Sequence, residues 1–227
     1  MLIDIVTIFP GFFKDPLGES LIKKAQDKQL IDVRVHDLRK YTHDRHKTVD
    51  DKPFGGGPGM VMKPDPIFEC VEDIRAKHPG GRVILLDARG ERLTQKKAQD
   101  FAGRKHLILL CGHYEGIDHR VHEHLADELI SIGDFVTMGG EAPSLCLIEA
   151  VVRLLPGVIG NQASLKEESF LQDVENGLEY PQYTRPRDFR GWKVPDVLVS
   201  GNHAEMKKWR SQGSREVTKK RRPDLQK

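Results

Sequence analysis

Short apolar stretches alternate with longer segments of helical periodicity from residue 1 to about residue 155. The stretches that predict strands are residues 2–9, 33–36, 83–86, 107–111 and 129–132. The segments that predict helices are residues 64–78, 94–103 and 142–155. In the first of these, Ile67, Cys70, Val71 and Ile74 recur at the i, i+3, i+4, i+7 spacing of a buried helix face. Strands interleaved with helices predict an α/β domain with a largely parallel sheet.

The pattern changes near residue 160. Residues 160–172 are polar and only weakly periodic, which predicts an interdomain linker after a first domain of residues 1–159. Beyond them, prolines interrupt the chain until Asn202, which forms a variant of the helix capping box with Glu205 three residues later. We therefore expect residues 173–227 to form a small, mostly helical second domain with a helix through residues 203–210.

Charge is unevenly divided along the chain, although the whole carries only +2, from 36 basic and 34 acidic side chains. Residues 173–227 hold 13 basic and 8 acidic side chains, a net charge of +5, which leaves −3 for residues 1–172. A basic tail on a nearly neutral body is typical of proteins that bind polyanions. A solvated surface helix would have the same composition.

Simple counts exclude other classes of protein. The longest apolar run is about five residues, at 107–111, far below the roughly 20 that cross a bilayer, so no membrane protein is expected. The N-terminal stretch contains Asp4 and lacks a basic leader, which favours a first strand over a signal peptide. Cys70, Cys111 and Cys146 are an odd and widely spaced set, so we expect buried thiols in a reducing cytoplasm, without disulfides or zinc.

Glycines follow three of the predicted strands, in segments 85–90, 110–116 and 132–140. Ligands of parallel α/β sheets bind beyond the carboxyl ends of strands, where glycine lets a ligand approach the main chain. Unless they are ordinary turns, the three segments therefore predict one shared pocket. They contain neither G-K-[ST] nor G-x-G-x-x-G, and the glycine-rich residues 54–60 lack the lysine of a phosphate loop. An adenosine-like ligand held by main-chain amides fits better than a polyphosphate.

Other polar residues indicate further chemistry. Residues 41–52 mix Arg, Lys and His with Asp, a composition typical either of a solvated loop or of a surface that contacts RNA phosphates and base edges. The histidines at 113, 119, 122 and 124 lack H-E-x-x-H spacing, so no metal site is expected. The absence of G-x-S-x-G argues against an α/β-hydrolase. Candidate acid–base carboxylates are Glu115, Asp134, Glu141, Glu167 and Glu168.

Five motifs together resemble the bacterial tRNA (guanine-N1)-methyltransferases of the SPOUT superfamily, from residue 1 to about residue 210. They are FPGFF at 9–13, THDRHKTVDDKPFGGGPGMVM at 42–62, CGHYEGIDHRV at 111–121, SIGDFVTMGGE at 131–141 and LVSGNHAEMKKWR at 198–210. The resemblance implies a SPOUT-type parallel sheet with a deep trefoil knot, a feature rare among proteins, that holds S-adenosylmethionine in a bent form. It also implies a homodimer whose active sites are built from both subunits.

The reaction that the resemblance implies is methyl transfer from S-adenosylmethionine to N1 of guanosine 37 of tRNA, beside the anticodon. The substrate tRNA carries guanosine at positions 36 and 37, and the modification maintains the reading frame. Mg²⁺ is expected to support activity near Glu115, although the sequence itself shows no metal site.

The family's cofactor-binding residues fall on the three glycine segments. They correspond here to Leu85, Leu86, Asp87, Gly112, Tyr114, Glu115, Gly116, Ile132, Gly133, Asp134, Phe135, Val136, Thr137, Gly139, Gly140 and Pro143. The catalytic arginine of the family's R-L-L-P-G motif corresponds to Arg153, and the proposed base, an aspartate in D-S-F, corresponds to Glu168. Glu168 keeps the carboxylate of that aspartate, on a side chain that is one carbon–carbon bond longer. Asp87-Ala88-Arg89-Gly90 replaces the usual Ser-Pro-x-Gly, and Phe135 replaces a tyrosine.

In this interpretation Glu168 removes the N1 proton and Arg153 stabilises negative charge on O6, with Glu115 close by. The candidate tRNA contacts are Arg45, His46, Asp50, Arg185, Ser200, Asn202 and His203. Of these, His203 is equally explained as an ordinary residue at a helix N-terminus. Two other classes stay open from the residues alone. One is a non-catalytic RNA-binding protein with a relic pocket, and the other is an enzyme of nucleotide phosphates, which the missing phosphate-loop motif disfavours.

Overall fold

The computed structural model describes residues 1–160, 168–171 and 177–226, and the chain divides into two compact units, Met1–Gly160 and Asn161–Lys227. In the first unit the strands are β1 (Leu2–Thr7), β2 (Asp32–Asp37), β3 (Asp50–Asp51), β4 (Val61–Met62), β5 (Arg82–Arg92), β6 (His106–Cys111) and β7 (Glu128–Ser131). Its helices are α1 (Lys14–Leu17), α2 (Ser20–Asp27), α3 (Pro64–Lys77), α4 (Gln95–Ala102), α5 (His119–His124) and α6 (Glu141–Val152). The described part of the second unit contains β8 (Asp188–Phe189), β9 (Trp192–Lys193) and α7 (His203–Arg221).

The predicted linker and the predicted start of the second domain are only partly covered. Residues 161–167 and 172–176, with the candidate carboxylate Glu167, lie outside the described residues.

A five-stranded sheet in the order β2-β1-β6-β5-β7 forms the centre of the first unit, and every neighbouring pair in it is parallel. The predicted α/β fold with a parallel central sheet is thereby confirmed. In the register of this sheet, Leu86 of β5 lies opposite both Cys111 of β6 and Ile130 of β7. Because the strands are parallel and adjacent, the loops that follow these residues leave the sheet at the same edge.

Two hydrophobic cores lie on the two faces of the sheet. Alternate residues of β6 are buried in different cores: Leu107 and Leu109 pack with residues of α2, α4 and α6, whereas Ile108 and Leu110 pack with residues of α3 and α5. Each such aliphatic side chain stabilises the fold by roughly 1.5–3 kcal/mol relative to exposure. Burial on both faces explains why the central strands appear in the sequence as continuous apolar runs.

The predicted elements of the first unit are all present, with ends that differ by a few residues. The largest difference is in β5, which pairs with β7 a second time at Glu91 and Arg92 after a bulge beyond Leu86. The sequence did not predict α1, α2, α5 or the short strands β3 and β4. Contrary to expectation, Cys146 is exposed, because it shares the outward face of α6 with Ala142 and Glu149.

The second unit is built around α7. Its predicted cap is confirmed, since the Asn202 side chain accepts a hydrogen bond from the Glu205 amide at 3.2 Å. The helix continues beyond the predicted residue 210 because polar side chains anchor its second half. The buried Ser214 hydroxyl donates to the Leu178 carbonyl at 2.6 Å, and the Leu178 amide donates to the Thr218 hydroxyl at 2.8 Å. Because the buried positions in this half of α7 carry hydroxyl groups, they show no apolar periodicity, and the sequence pattern did not predict this part of the helix.

Across residues 1–160, 168–171 and 177–226, no helix has both the length and the apolar character needed to span a bilayer.

Candidate active site

A cleft of about 360 Å³ opens at the sheet edge where β5, β6 and β7 end. This volume is within the roughly 300–1,000 Å³ typical of small-molecule sites. The predicted cofactor-binding residues that line it are Leu85, Leu86, Asp87, Gly112, Tyr114, Glu115, Gly116, Ile132, Phe135, Val136, Thr137, Gly139, Gly140 and Pro143. The structure therefore brings the three glycine segments together around one cavity.

Two of the predicted residues do not line this cleft. Gly133 lies beneath Phe135, whose Cε1 would be 2.5 Å from a Cβ at position 133. Asp134 is directed to Arg92, which donates a hydrogen bond to its carboxylate at 2.8 Å. Four further lining residues lie within the predicted segments but were not assigned individually, namely Ala88, Arg89, His113 and Met138. The lining residues outside those segments, which the sequence missed, are Val61, Ile117, Ile130 and Ser131. Val61 reaches the cleft because Met62 pairs with Ile117, a long-range contact that no local pattern indicates.

The first cleft loop is the bulge of β5 at Asp87-Ala88-Arg89-Gly90. The Asp87 carboxylate accepts hydrogen bonds from the Arg89 amide at 2.8 Å and from its guanidinium at 2.7 and 2.9 Å, which lowers the pKa of Asp87. His122 is buried behind this pair, and its burial, with the nearby Arg89 charge, lowers the pKa of the imidazole. At neutral pH the bulge therefore presents a compensated ion pair. A Cβ at Gly90 would lie 2.5 Å from the Ile130 amide nitrogen. The main chain at the end of the bulge is therefore in close contact with that of β7.

The second cleft loop carries Tyr114, Glu115 and Gly116. Tyr114 has a φ of +60° and Gly116 a φ of +125°, and backbone strain at a non-glycine residue is characteristic of functional sites. The Glu115 amide donates to the Met60 carbonyl at 3.0 Å, and a Cβ at Gly59 would overlap the Glu115 side chain. The glycine-rich loop thus packs against Glu115, and Glu115 is exposed at the cleft.

The third cleft loop passes directly against the second. The Gly140 amide donates to the Gly112 carbonyl at 2.8 Å, and Gly139 forms a bridge with His113. A Cβ at Gly140 would lie 2.6 Å from the Cys111 Cα, so the two main chains are in contact. Next to them Glu141, only 4% exposed, accepts a hydrogen bond from the Thr7 hydroxyl at 2.7 Å. This carboxylate ties the start of α6 to β1.

The charge of the cleft limits what it can bind. Among the described lining residues the formal charges at neutral pH are those of Asp87, Arg89 and Glu115, and Arg89 is already bonded to Asp87. A polyphosphate would meet a net negative surface, whereas a cationic or neutral ligand would not be repelled. The glycines leave main-chain groups accessible to such a ligand.

The match to known proteins extends over the whole chain. The family model described as tRNA (Guanine-1)-methyltransferase TrmD matches residues 1–227. The chain belongs to this family. It is 55% identical over 225 residues to the tRNA (guanine-N(1)-)-methyltransferase of Geobacillus kaustophilus, covering 99% of this chain and 91% of the relative. The proteins of the same name from Bacillus cereus and Bacillus anthracis are 53% identical over 226 residues, with the same coverage. The resemblance inferred from the motifs is confirmed.

In this member of the TrmD family, the two main catalytic candidates lie on different units. Arg153 follows the last residue of α6 and is half-buried. Glu168 is half-buried in the second unit, where its neighbours are fixed: the Glu179 amide donates to the Ser169 hydroxyl at 2.9 Å, and the Phe170 amide donates to the Gly177 carbonyl at 2.7 Å. The second unit therefore determines where the Glu168 backbone lies.

The tRNA-contact candidates of this TrmD-family chain also fall on both units. In the first, Arg45 and His46 are exposed on a turn that Asp44 closes by accepting from the Thr48 hydroxyl and amide at 2.7 and 2.9 Å, which lowers the pKa of Asp44. Asp50 is half-buried in β3. In the second unit the exposed candidates are Arg185, Ser200, Asn202 and His203. Within the described ranges, no group of three or more His, Cys, Asp or Glu side chains is arranged to hold a metal ion.

Proposed function

We propose that this chain transfers the methyl group of S-adenosylmethionine to N1 of guanosine 37 in tRNA that also carries guanosine at position 36. The observation that carries the proposal is the cleft formed by three adjacent parallel strand ends in a chain that matches the TrmD family over residues 1–227. Ligands of parallel sheets bind at this position.

The residues of the cleft fit S-adenosylmethionine. When bound, this cofactor supplies an electrophilic methyl group on a positively charged sulfonium. The Glu115 carboxylate is exposed at the cleft, and the Asp87–Arg89 ion pair adds no net charge. Gly112, Gly139 and Gly140 have no side chains and therefore let the cofactor approach the main chain, and Arg89, the cation in the described lining, is already paired with Asp87. Holding the reacting atoms in line is a major source of rate acceleration.

Catalysis requires a base, because guanine N1 carries a proton and its electron pair is not free to attack. We assign this role to Glu168, which is held on the second unit by the bonds of Ser169 and Phe170. Arg153, on the first unit, stabilises the negative charge that grows on O6 as the proton leaves. Among the described residues no cluster fits Mg²⁺, so no step is assigned to a metal.

The topology proposed for the cleft is the trefoil knot of the SPOUT superfamily. Its support is the close passage of Gly139 and Gly140 against Gly112 and His113. A homodimer with shared active sites is proposed as well. Val136 and Met138 at the cleft are 88% and 92% exposed, and exposed apolar side chains beside a site are typical of surfaces that a second subunit covers.

We assign a separate role to each of the two domains predicted from the sequence. Residues 1–159 form the methyltransferase domain, residues 160–172 the linker and residues 173–227 a tRNA-binding domain. The net charge of +5 on residues 173–227 supports the last assignment, because contacts to phosphates dominate RNA affinity. The free thiols of Cys70, Cys111 and Cys146 are in keeping with the proposed cytoplasmic location.

Isothermal titration of the purified chain is expected to give saturable heat with S-adenosylmethionine and none with ATP. The reason is the charge of the cleft, which accepts a sulfonium and disfavours a triphosphate. No heat with S-adenosylmethionine would favour a non-catalytic RNA-binding protein, and saturable heat with ATP would favour an enzyme of nucleotide phosphates.

A further inference from the structure

Strands β8 and β9 form a short hairpin in the second unit that the sequence did not predict. Phe189 pairs with Trp192 across a two-residue turn of Arg190 and Gly191, whose φ values are +58° and +85°. Positive φ at both positions is the signature of the type I′ turn that favours tight hairpins. The Asp188 side chain accepts from the Gly191 amide at 2.9 Å, and the Val194 amide donates to the Arg187 carbonyl at 2.9 Å. The hairpin is therefore a built element with a fixed turn.

The hairpin presents two large aromatic rings to solvent. The Trp192 side chain is 72% exposed and that of Phe189 is 50% exposed, with ring centroids 6.1 Å apart. The guanidinium of Arg190 lies 5.1 Å from the centroid of the Phe189 ring. Exposed aromatic area of this kind is unfavourable in water and marks a surface that binds a partner.

The other tryptophan of the chain behaves differently. The sequence contains two tryptophans, and Trp209 is half-buried on α7 between Tyr180 and Tyr183, at centroid distances of 6.5 and 6.2 Å. Trp209 therefore has a packing role within the second unit. The described contacts of Trp192 give it no comparable role, so its exposure needs another explanation.

The charges around the rings favour a nucleic acid as the partner. Arg190 and Lys193 are exposed on the hairpin, in a part of the chain with a net charge of +5. Lysine is depleted in protein–protein interfaces, whereas aromatic side chains interleaved with cations are the usual means of holding unstacked bases and their phosphates.

We propose that Phe189 and Trp192 of this hairpin stack on an unpaired base of the tRNA, with Arg190 and Lys193 beside the neighbouring phosphates. The inference rests on the proposed function, because that function supplies an RNA with unpaired bases as the substrate. It assigns the hairpin to substrate affinity and leaves the S-adenosylmethionine cleft unaffected.

Trp209→Phe leaves Trp192 as the sole tryptophan and makes the hairpin directly observable. In this variant, saturating tRNA is expected to quench the fluorescence of Trp192, since a base stacked on the indole deactivates its excited state. In the otherwise wild-type chain, Trp192→Ala is expected to raise the Kd for tRNA roughly 5- to 100-fold, and Trp192→Phe, which keeps an aromatic face, by no more than about threefold. The Kd for S-adenosylmethionine should not change. Phe12→Ala, which removes an exposed ring from the first unit, is the matched control and should leave tRNA affinity unchanged.

Two results would overturn the assignment. The first is an unchanged tRNA Kd in Trp192→Ala together with unquenched Trp192 fluorescence, in a chain that still methylates tRNA; the proposed function would then survive without the hairpin. The second is quenching that appears without RNA as protein concentration rises, which would identify a second copy of the chain as the occupant. If the wild-type chain neither binds nor methylates tRNA, the proposed function is wrong, and the assignment of the hairpin, which rests on it, is wrong as well.

Discussion

Glu168→Gln is expected to lose methyl transfer almost completely while it binds S-adenosylmethionine as the wild type does. The amide is nearly the same size as the carboxylate but cannot accept the N1 proton, so the loss should be that of a general base, roughly 10²- to 10⁴-fold in single-turnover rate. Glu168 is not among the residues that line the cleft, and Gln keeps its size, so cofactor affinity should change little. Rapid-quench methylation and calorimetry measure the two quantities separately.

Glu168→Asp is the matched control, because it restores the carboxylate of the family's usual D-S-F motif and should retain most of the rate. Ser169→Ala removes the bond from the Glu179 amide and should lower the rate without abolishing it. A single-turnover rate in Glu168→Gln close to that of the wild type would show that another group removes the proton. Asp50 and Glu167 would then be tested in the same way.

Gly140→Ala is expected to damage the cleft, because the main chain around position 140 leaves no room for a methyl group. A Cβ at this position would lie 2.6 Å from the Cys111 Cα and 2.9 Å from the Gly112 amide nitrogen, both of which are main-chain atoms that cannot rotate away. Overpacking costs roughly 1–3 kcal/mol even where side chains can adjust. The Kd for S-adenosylmethionine should rise at least about tenfold, and the Tm should fall.

Gly11→Ala provides the control for Gly140→Ala, because a Cβ at position 11 meets no atom within 4 Å. It should leave both cofactor affinity and Tm close to the wild-type values. Wild-type cofactor affinity in Gly140→Ala would mean that the contact between the second and third cleft loops is not needed for binding.

Much of the first unit could be predicted because its signals are local. Strand β6, in the middle of the sheet, is buried on both faces, so it appears as the continuous run Leu107-Ile108-Leu109-Leu110-Cys111. The helix α3 shows its buried face in the spacing of Ile67, Cys70, Val71 and Ile74. The glycine segments predicted a shared pocket because parallel strands release their loops at one edge.

The parts that could not be predicted depend on contacts distant in sequence. Val61 reaches the cleft only because its neighbour Met62 pairs with Ile117. The second pairing of β5 with β7, after the bulge at Asp87, could not be predicted from the local sequence either, because it needs Gly90 to lie against Ile130. The proposed knot and the proposed catalytic roles come only from the resemblance of the motifs to a known family, because no pattern of burial or spacing indicates them.

The second unit gave weaker signals. Its main helix extends over His203–Arg221, but the buried positions Ser214 and Thr218 are hydroxyl side chains, so the apolar period ends early. The hairpin gave no clear signal either, because its turn is Arg190-Gly191 and lacks the Asn or Asp that usually precedes glycine in a type I′ turn.

The most direct test of the central claim is to map the methylated nucleotide on tRNA transcripts incubated with the chain and labelled S-adenosylmethionine. The account predicts one label per transcript, at N1 of guanosine 37, which is lost when guanosine 37 is replaced by adenosine and strongly reduced when guanosine 36 is replaced. Label at another position, label unaffected by replacement of guanosine 37, or no label with intact transcripts would contradict it.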